Sequence, residues 1–372
     1  MRRNVTVRRA GAGALGVTAL LLAACDLGEP AVRYDGVGRP LAGDIDGDGD
    51  TDLVVGATVL QNDGSGTFTQ SGTVPVYPGF GPGALVDVNG DGAADRVTAA
   101  VNGERPEGGY VELADGTGGF GAPTLAFDNP NGLVLAVAAA DVNGDGHVDV
   151  VVVAPDNTTS AQTSLVVRYG DGTGAFPASR SYSLATGVLA DALVTVDIDE
   201  DGDLDLVART PSADDQVMVF TNDGTGNFSP PTPYLPRSGY GSCGIVVADI
   251  DEDGHVDLLT GHTGGPNPLL LLRGDGTGAF LPPEEVPSDV AACPDQGLTT
   301  DIDGDGHLDM VTGGVKVRLG DGTGHFAEDR GLLDGWPVVA DVDGDDRPDV
   351  AVVRSTATPD HPAGTYVYRN RL

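Results

Sequence analysis

Short apolar runs alternate with acidic, glycine-rich loops along most of the chain. "DLVVGA" (52–57), "DVVVVA" (149–154) and "DLLTG" (257–261) each leave an aspartate-rich segment. "SLVVRYGDG" (164–172) and "PLLLLRGDG" (268–276) each run into an Asp-Gly pair. Runs this short, rich in Val and Leu and bounded by Gly and Asp, predict strands. Asp-Gly between two such runs predicts a tight hairpin. Each unit therefore reads as four strands. One enters the acidic loop, a second leaves it, a third enters the Asp-Gly turn, and a fourth starts at the phenylalanine that follows. No helical period competes beyond residue 30.

The units recur on a fixed register. The pattern D-x-[DN]-x-D-[GD]-x-x-D starts at Asp44, Asp87, Asp141, Asp197, Asp249, Asp301 and Asp341, with gaps of 43, 54, 56, 52, 52 and 40 residues. A D-G-[ST]-G turn follows in six units, each two residues before Phe68, Phe120, Phe176, Phe228, Phe280 or Phe326. Four strands per unit and seven units predict an all-β, seven-bladed β-propeller over residues 32–372. The seventh unit ends at "TYVYRNRL" without its turn or fourth strand. The segment "AVRYDG" (31–36), with Tyr34, is similar to the fourth-strand segments around Tyr77, Tyr182 and Tyr234. Pairing it with the C-terminal strand would close the ring and leave no open seam.

Charge sharpens this picture. The formal net charge is −36, which argues against nucleic acid as a partner, since that needs a basic surface. The aspartates lie at fixed spacings, which points to sites and not to a diffuse acidic tail. Oxygens at loop positions 1, 3, 5 and 9 and a carbonyl at position 7 suit Ca²⁺. The ligands offered are Asp44, Asp46, Asp48, Asp50 and Asp52 in the first loop and Asp87, Asn89, Asp91, Ala93 and Asp95 in the second. The third offers Asp141, Asn143, Asp145, His147 and Asp149, and the fourth Asp197, Asp199, Asp201, Asp203 and Asp205. The fifth offers Asp249, Asp251, Asp253, His255 and Asp257, and the sixth Asp301, Asp303, Asp305, His307 and Asp309. The seventh offers Asp341, Asp343, Asp345, Arg347 and Asp349. Up to seven calcium ions are expected, and an all-oxygen set disfavours zinc and copper. Position 12 of the sixth loop is Thr312, where a helix-flanked calcium loop would need Glu. Asn89 and Asn143 lower the charge of their loops. Asp346 stands where Gly usually does, which predicts a strained turn.

Catalytic motifs do not stand out. His147, His255 and His307 fall at loop position 7, where only the carbonyl is expected to serve and the side chain to be exposed. His262, His325 and His361 have no partnered nucleophile in sequence. "GYGSCG" around Ser242 lacks nucleophile-elbow spacing. The tripeptide Arg273-Gly274-Asp275 shares its Gly-Asp register with Tyr169-Gly170-Asp171 and Leu319-Gly320-Asp321, which explains it as part of the repeated turn.

The N-terminus predicts export. Arg2, Arg3, Arg8 and Arg9 precede an apolar stretch from Ala10 to Ala24. That stretch ends in Leu22-Ala23-Ala24-Cys25, which resembles a bacterial lipobox. Residues 1–24 would be a signal peptide and 25–31 a short tether from lipidated Cys25, by Sec or twin-Arg export. The membrane would be met through the lipid alone, in the periplasm or at the cell surface. Cys243 and Cys293 then form an even pair, and a disulfide joining blades 5 and 6 is expected.

The seven acidic motifs in register resemble those of FG-GAP/VCBS repeat proteins, among them the propeller of integrin α-subunits, over about residues 31 to 372. The resemblance implies calcium in hairpin loops. It constrains function less, since this repeat type serves adhesins, lectin-like modules and lyases. The favoured reading is a monomeric binding or adhesion module for a glycan or protein ligand. The alternative is a polysaccharide lyase or hydrolase on the same scaffold. Binding is expected on the face opposite the acidic loops, in the variable connections at 101–109, 155–163, 210–216, 261–268 and 355–364.

Overall fold

The computed structural model describes residues 33–74, 83–100, 108–128, 134, 136–155, 163–184, 192–210, 216–234, 241–263, 269–286, 298–312, 316–327, 330–331, 335–357 and 362–370. The apolar runs pair as seven four-stranded antiparallel sheets. In blade 1, Pro40–Gly43, Asp52–Val55, Thr58–Asn62 and Phe68–Thr73 lie side by side in chain order. Blades 2 to 6 repeat this order. Among the described residues there is no helix.

The second strand of each blade is apolar almost throughout because both of its faces are covered. Strand residues alternate between faces. In blade 3, Val151 and Val153 pack with Leu206, Ala208 and Phe220 of blade 4. Val150 and Val152 pack with Val97 and Val111 of blade 2. All four valines are fully buried, each stabilising by roughly 1.5–3 kcal/mol relative to exposure. The inner strands, such as Ala192–Val196, are partly buried, and outer strands such as Ala178–Ser183 are largely exposed.

The fourth strands differ from the sequence reading. Only in blade 1 does the strand start at the phenylalanine. Phe120, Phe228, Phe280 and Phe326 each form one isolated bridge instead. In blades 2, 4 and 5 the outer strands resume at Thr124, Thr232 and Glu284. Pro123, Pro230, Pro231, Pro282 and Pro283 occupy the gaps. Proline has no N–H to give to the ladder.

The ring closes as the sequence suggests. Blade 7 is built from Trp336–Ala340, Asp349–Arg354, Gly364–Tyr368 and, as its fourth strand, Arg33–Tyr34. Arg33 pairs with Tyr366 and Tyr34 with Thr365. Leu53, Val55, Leu60 and Phe68 of blade 1 then pack on Val342, Ala351, Val353 and Val367 of blade 7. Tyr34 meets Phe68 edge-on at 5.4 Å, and the Phe68 N–H donates to the Tyr34 hydroxyl at 3.1 Å. Tyr182 and Phe228 repeat this contact between blades 3 and 4, as do Tyr234 and Phe280 between blades 4 and 5. Tyr34 is thus the fourth-strand tyrosine of blade 7. Tyr77, the signal peptide and tether with Cys25, and Cys293 lie outside the described residues. Cys243 falls in the strand Gly241–Ala248, so the expected disulfide is not described. Most of the variable connections at 101–109, 155–163, 210–216 and 261–268, and residues 358–361 of the fifth, are likewise outside.

Replacing Tyr34 by Ala removes the edge-on ring contact and the hydroxyl acceptor at the seam. The chain should lose about 2 kcal/mol of stability, read as a lower urea midpoint. An unchanged midpoint would show that the seam does not depend on this contact.

Candidate metal centres

Each acidic loop joins the inner strand to the second strand, and each D-G-[ST]-G turn joins the third strand to the fourth. Antiparallel order puts both at the same end of the blade. They touch there: a Cβ on Gly64 would lie 2.5 Å from an Asp50 carboxylate oxygen, and one on Gly224 2.3 Å from Asp203. The second glycine of each turn is fitted against the preceding blade. A Cβ on Gly118 would meet Gln61 at 2.2 Å, and one on Gly226 would meet Tyr169 at 2.6 Å.

The loops are wound around their own carboxylates. Asp44 Oδ1 accepts from the N–H groups of Gly47 and Asp48, and Oδ2 from that of Gly49. Asp87, Asp141, Asp301 and Asp341 repeat the arrangement. In blade 7 the position-6 donor is Asp346, at φ 65°. The non-glycine residue predicted to be strained therefore adopts the left-handed turn and keeps the bond. At position 5, Asp48, Asp91, Asp145, Asp201, Asp253, Asp305 and Asp345 each accept from the N–H of position 7, at 2.9–3.1 Å. Those donors are Asp50, Ala93, His147, Asp203, His255, His307 and Arg347.

Position 9 is the buried anchor. Asp52, Asp95, Asp149, Asp205, Asp257, Asp309 and Asp349 are at most 1% exposed. Oδ2 accepts from the backbone N–H of loop position 2 at 2.8–3.1 Å in all seven blades. Oδ1 accepts from an N–H at or just beyond the end of the third strand at 2.6–2.9 Å. Each of these carboxylates ties its loop to the rest of the blade, and those of Asp205, Asp257, Asp309 and Asp349 also join the converging carboxylates of their loops.

Several carboxylate oxygens remain without partners. Asp46 Oδ1, Asp197 Oδ1, Asp199 Oδ1, Asp249 Oδ1 and Asp343 Oδ1 are buried and make no hydrogen bond. Oxygens of Asp44, Asp46 and Asp48 lie within 4.8 Å of one another. Asp197, Asp199 and Asp205 converge equally, as do Asp249, Asp251 and Asp257; Asp301, Asp303 and Asp309; and Asp341, Asp343 and Asp349. A buried carboxylate oxygen without a donor is costly, and a hard divalent cation is the charge-matched partner for such a set. In blades 2 and 3 the amides of Asn89 and Asn143 donate to Asp91 and Asp145, so those loops supply some of their own neutralisation.

Burial pushes the carboxyls of Asp52, Asp149, Asp205, Asp309 and Asp349 up to about 6, and raises those of Asp95 and Asp257. Neighbouring loop carboxylates push the same way. A bound cation would reverse that balance.

Two glutamates escaped the sequence reading. Glu200 and Glu252 occupy loop position 4 at φ 59° and 58°, where other blades carry Gly. In these two loops Asp197 and Asp249 keep the position-6 bond, while their Oδ1 atoms are among the orphans. The glutamates reach across to the next blade: Glu200 Oε1 lies 2.6 Å from His255 Nδ1, and Glu252 Oε1 2.6 Å from His307 Nδ1. This corrects the expectation that the position-7 histidine side chains only face solvent. It holds for His147, which is exposed. The sequence signal was Glu at position 4 with His at position 7 of the following unit.

These shifts fix how the metal-free chain responds to pH. A carboxyl raised by folding binds its proton more tightly in the folded state, so stability falls as pH rises from 3.8 towards 6. The turn aspartates Asp63, Asp115, Asp171, Asp223, Asp275 and Asp321 are lowered, chiefly by the Ser or Thr hydroxyl two residues on. Their contribution is lost only below 3.8. In chelator-treated buffer the urea midpoint should therefore be higher at pH 4.5 than at pH 7, and a saturating divalent cation should abolish the difference. A higher metal-free midpoint at pH 7 would contradict this.

The sequence matches the FG-GAP-like repeat over residues 44–98, 87–152, 141–208, 197–260 and 251–312. Human integrin alpha-IIb is 30% identical over 159 residues, which are 37% of this chain and 15% of that protein. Mouse integrin alpha-IIb is 29% identical over 150 residues, 35% and 14% of the two chains. This chain thus spans less than a sixth of the integrin subunits it matches. Among solved structures, the BP39L lectin from Burkholderia pseudomallei superposes with a TM-score of 0.60 at 15% identity, covering 87% of this chain and 94% of that one. At that identity it shows a shared fold alone. With repeat matches running from residue 44 to residue 312 in register with the acidic loops, the chain belongs to the FG-GAP-like repeat family.

Proposed function

We propose that this protein is a calcium-stabilised binding or adhesion module, held at a bacterial membrane by lipid on Cys25. The observation that carries the calcium reading is the set of buried, unpartnered carboxylate oxygens at loop positions 1 and 3. Calcium would sit among positions 1, 3, 5 and 9, with the position-7 carbonyl completing the set. Its charge would neutralise the loop. The chain's own part is to hold the oxygens in place: position 9 through its two backbone bonds, position 1 through the N–H groups of the turn. The binding reading draws support from the family and from the integrin subunits among the relatives. The ligand would be a glycan or a protein, met on the face away from the acidic loops.

Calcium at 100-fold excess over its Kd should add about 2.7 kcal/mol per occupied site, seen as a rise in the melting midpoint that EGTA reverses. The calcium-loaded protein, applied to glycan and envelope-protein arrays, should retain a ligand that the chelated protein loses. A midpoint indifferent to calcium would refute the metal reading, and cleavage of an arrayed polysaccharide would refute the non-enzymatic one.

Cys25→Ser tests the anchor. The variant should leave the membrane fraction for the soluble one. Unaltered fractionation would remove the lipid from the proposal.

A further inference from the structure

We propose that Arg273, the arginine of the Arg-Gly-Asp tripeptide, is a built-in counter-ion that makes blade 5 the weak member of the calcium sites. The inference rests on the calcium reading above. It concerns what one side chain does to one of those sites.

Arg273 directly follows the third strand of blade 5, Leu269–Leu272, two residues before the turn aspartate. Its guanidinium does not project as an adhesive side chain would. NH1 pairs with Asp251 Oδ2, at loop position 3 of the same blade. NH2 donates to the Thr323 carbonyl in the turn of blade 6 at 3.1 Å, and Nε lies 3.6 Å from Glu284. The Asp251 side chain is only 8% exposed.

The corresponding residues in the other blades are Gln61, Leu113, Tyr169, Thr221, Leu319 and Arg369. Gln61 donates to Asp46 Oδ2 at 2.6 Å but carries no charge. Arg369 donates to the Gly66 carbonyl at 2.8 Å; its charge is felt at Asp343, but it forms no ion pair there and leaves Asp343 Oδ1 without a donor. Position 3 differs among the loops: in blade 6, Asp303 Oδ1 accepts from the Asp305 N–H at 3.3 Å. Asp46, Asp199 and Asp343 each keep a buried Oδ1 without a donor. In blade 5 both oxygens of Asp251 are engaged, Oδ2 by Arg273 and Oδ1 by the Asp253 N–H at 3.2 Å.

A cation entering this loop must share Asp251 with a fixed positive charge. That charge is held on two sides, so it does not readily swing out. Arg273 therefore does part of the ion's work in advance, keeping the loop and its junction with blade 6 folded at low calcium. The cost falls on affinity. A unit charge a few ångströms from a divalent ion weakens binding on the order of tenfold even at the dielectric of water.

The test uses the whole chain and Arg273→Leu, the residue found at this position in blades 2 and 6. Equilibrium dialysis against buffered free calcium, with bound metal counted by atomic emission, should show the wild type one ion short of its final stoichiometry over a range where the variant is full. The last site should tighten on the order of tenfold. In chelator the variant should melt below the wild type, and calcium should restore it. If Arg273→Leu shows no cooperative melt, Arg273→Gln, which keeps a donor and drops the charge, should show the same gain. An unchanged or reduced ion count in a folded variant overturns the proposal while leaving the calcium reading intact. A wild type that takes up no calcium overturns both.

Discussion

The constraint on which this fold depends is the buried aspartate at loop position 9. It sits at the start of every second strand, shielded from solvent, with one oxygen on the loop and the other on the end of the third strand. A neutral amide would offer only one acceptor to two backbone donors. The carboxylate alone satisfies both, and it does so in all seven blades. That choice places a negative charge inside the protein seven times. The rest of the acidic loop can be understood as the environment such a charge requires: glycines that turn N–H groups inward, and further oxygens arranged for a cation. The acidity of the chain is therefore tied to its architecture.

The second constraint is that no blade is complete alone. The alternating faces of each second strand belong to different interfaces, so one valine run serves two neighbours. The D-G-[ST]-G turn serves two as well. Its first aspartate organises its own blade, while its second glycine admits a side chain from the blade before. Glu200, Glu252 and Arg273 extend the same habit to charged groups. Acidic loops, turns and interfaces are thus one continuous layer at one end of the ring. A change at any of these positions is felt in the adjoining blade.

Most of the architecture was legible in the sequence because it repeats. Strand, loop and turn recur at the same offsets, and Tyr34 could be matched to Tyr182 and Tyr234 before any pairing was known. What escaped notice was what does not repeat. The prolines after Phe120, Phe228 and Phe280 shift the outer strands, and a pattern keyed on the phenylalanine overlooks them. Glu200 and Glu252 sit at a position that the motif left free, and their histidine partners lie 55 residues on, in a different unit. The second duty of position 9 was hidden for another reason. A ligand pattern lists side chains by spacing and says nothing of the backbone groups that fold back on them.

The closing strand joins segments far apart in the chain. Arg33 reaches the Ala363 carbonyl across 330 residues of chain, so the first described strand to be synthesised waits for the last. Bringing such distant segments together adds little entropic cost beyond that of a shorter loop, but it sets an order of events. Six blades can assemble as the chain emerges, each resting on the one before. The seventh stays two-stranded, with one flank of blade 1 bare, until Gly364–Tyr368 arrives to pair with Arg33–Tyr34. A truncated chain would therefore present two unpaired surfaces that fit each other in kind, and its simplest remedy would be the matching seam of another truncated copy. In this protein, the seam where the ends meet is where an unfinished molecule would turn from a closed ring into a growing chain of rings.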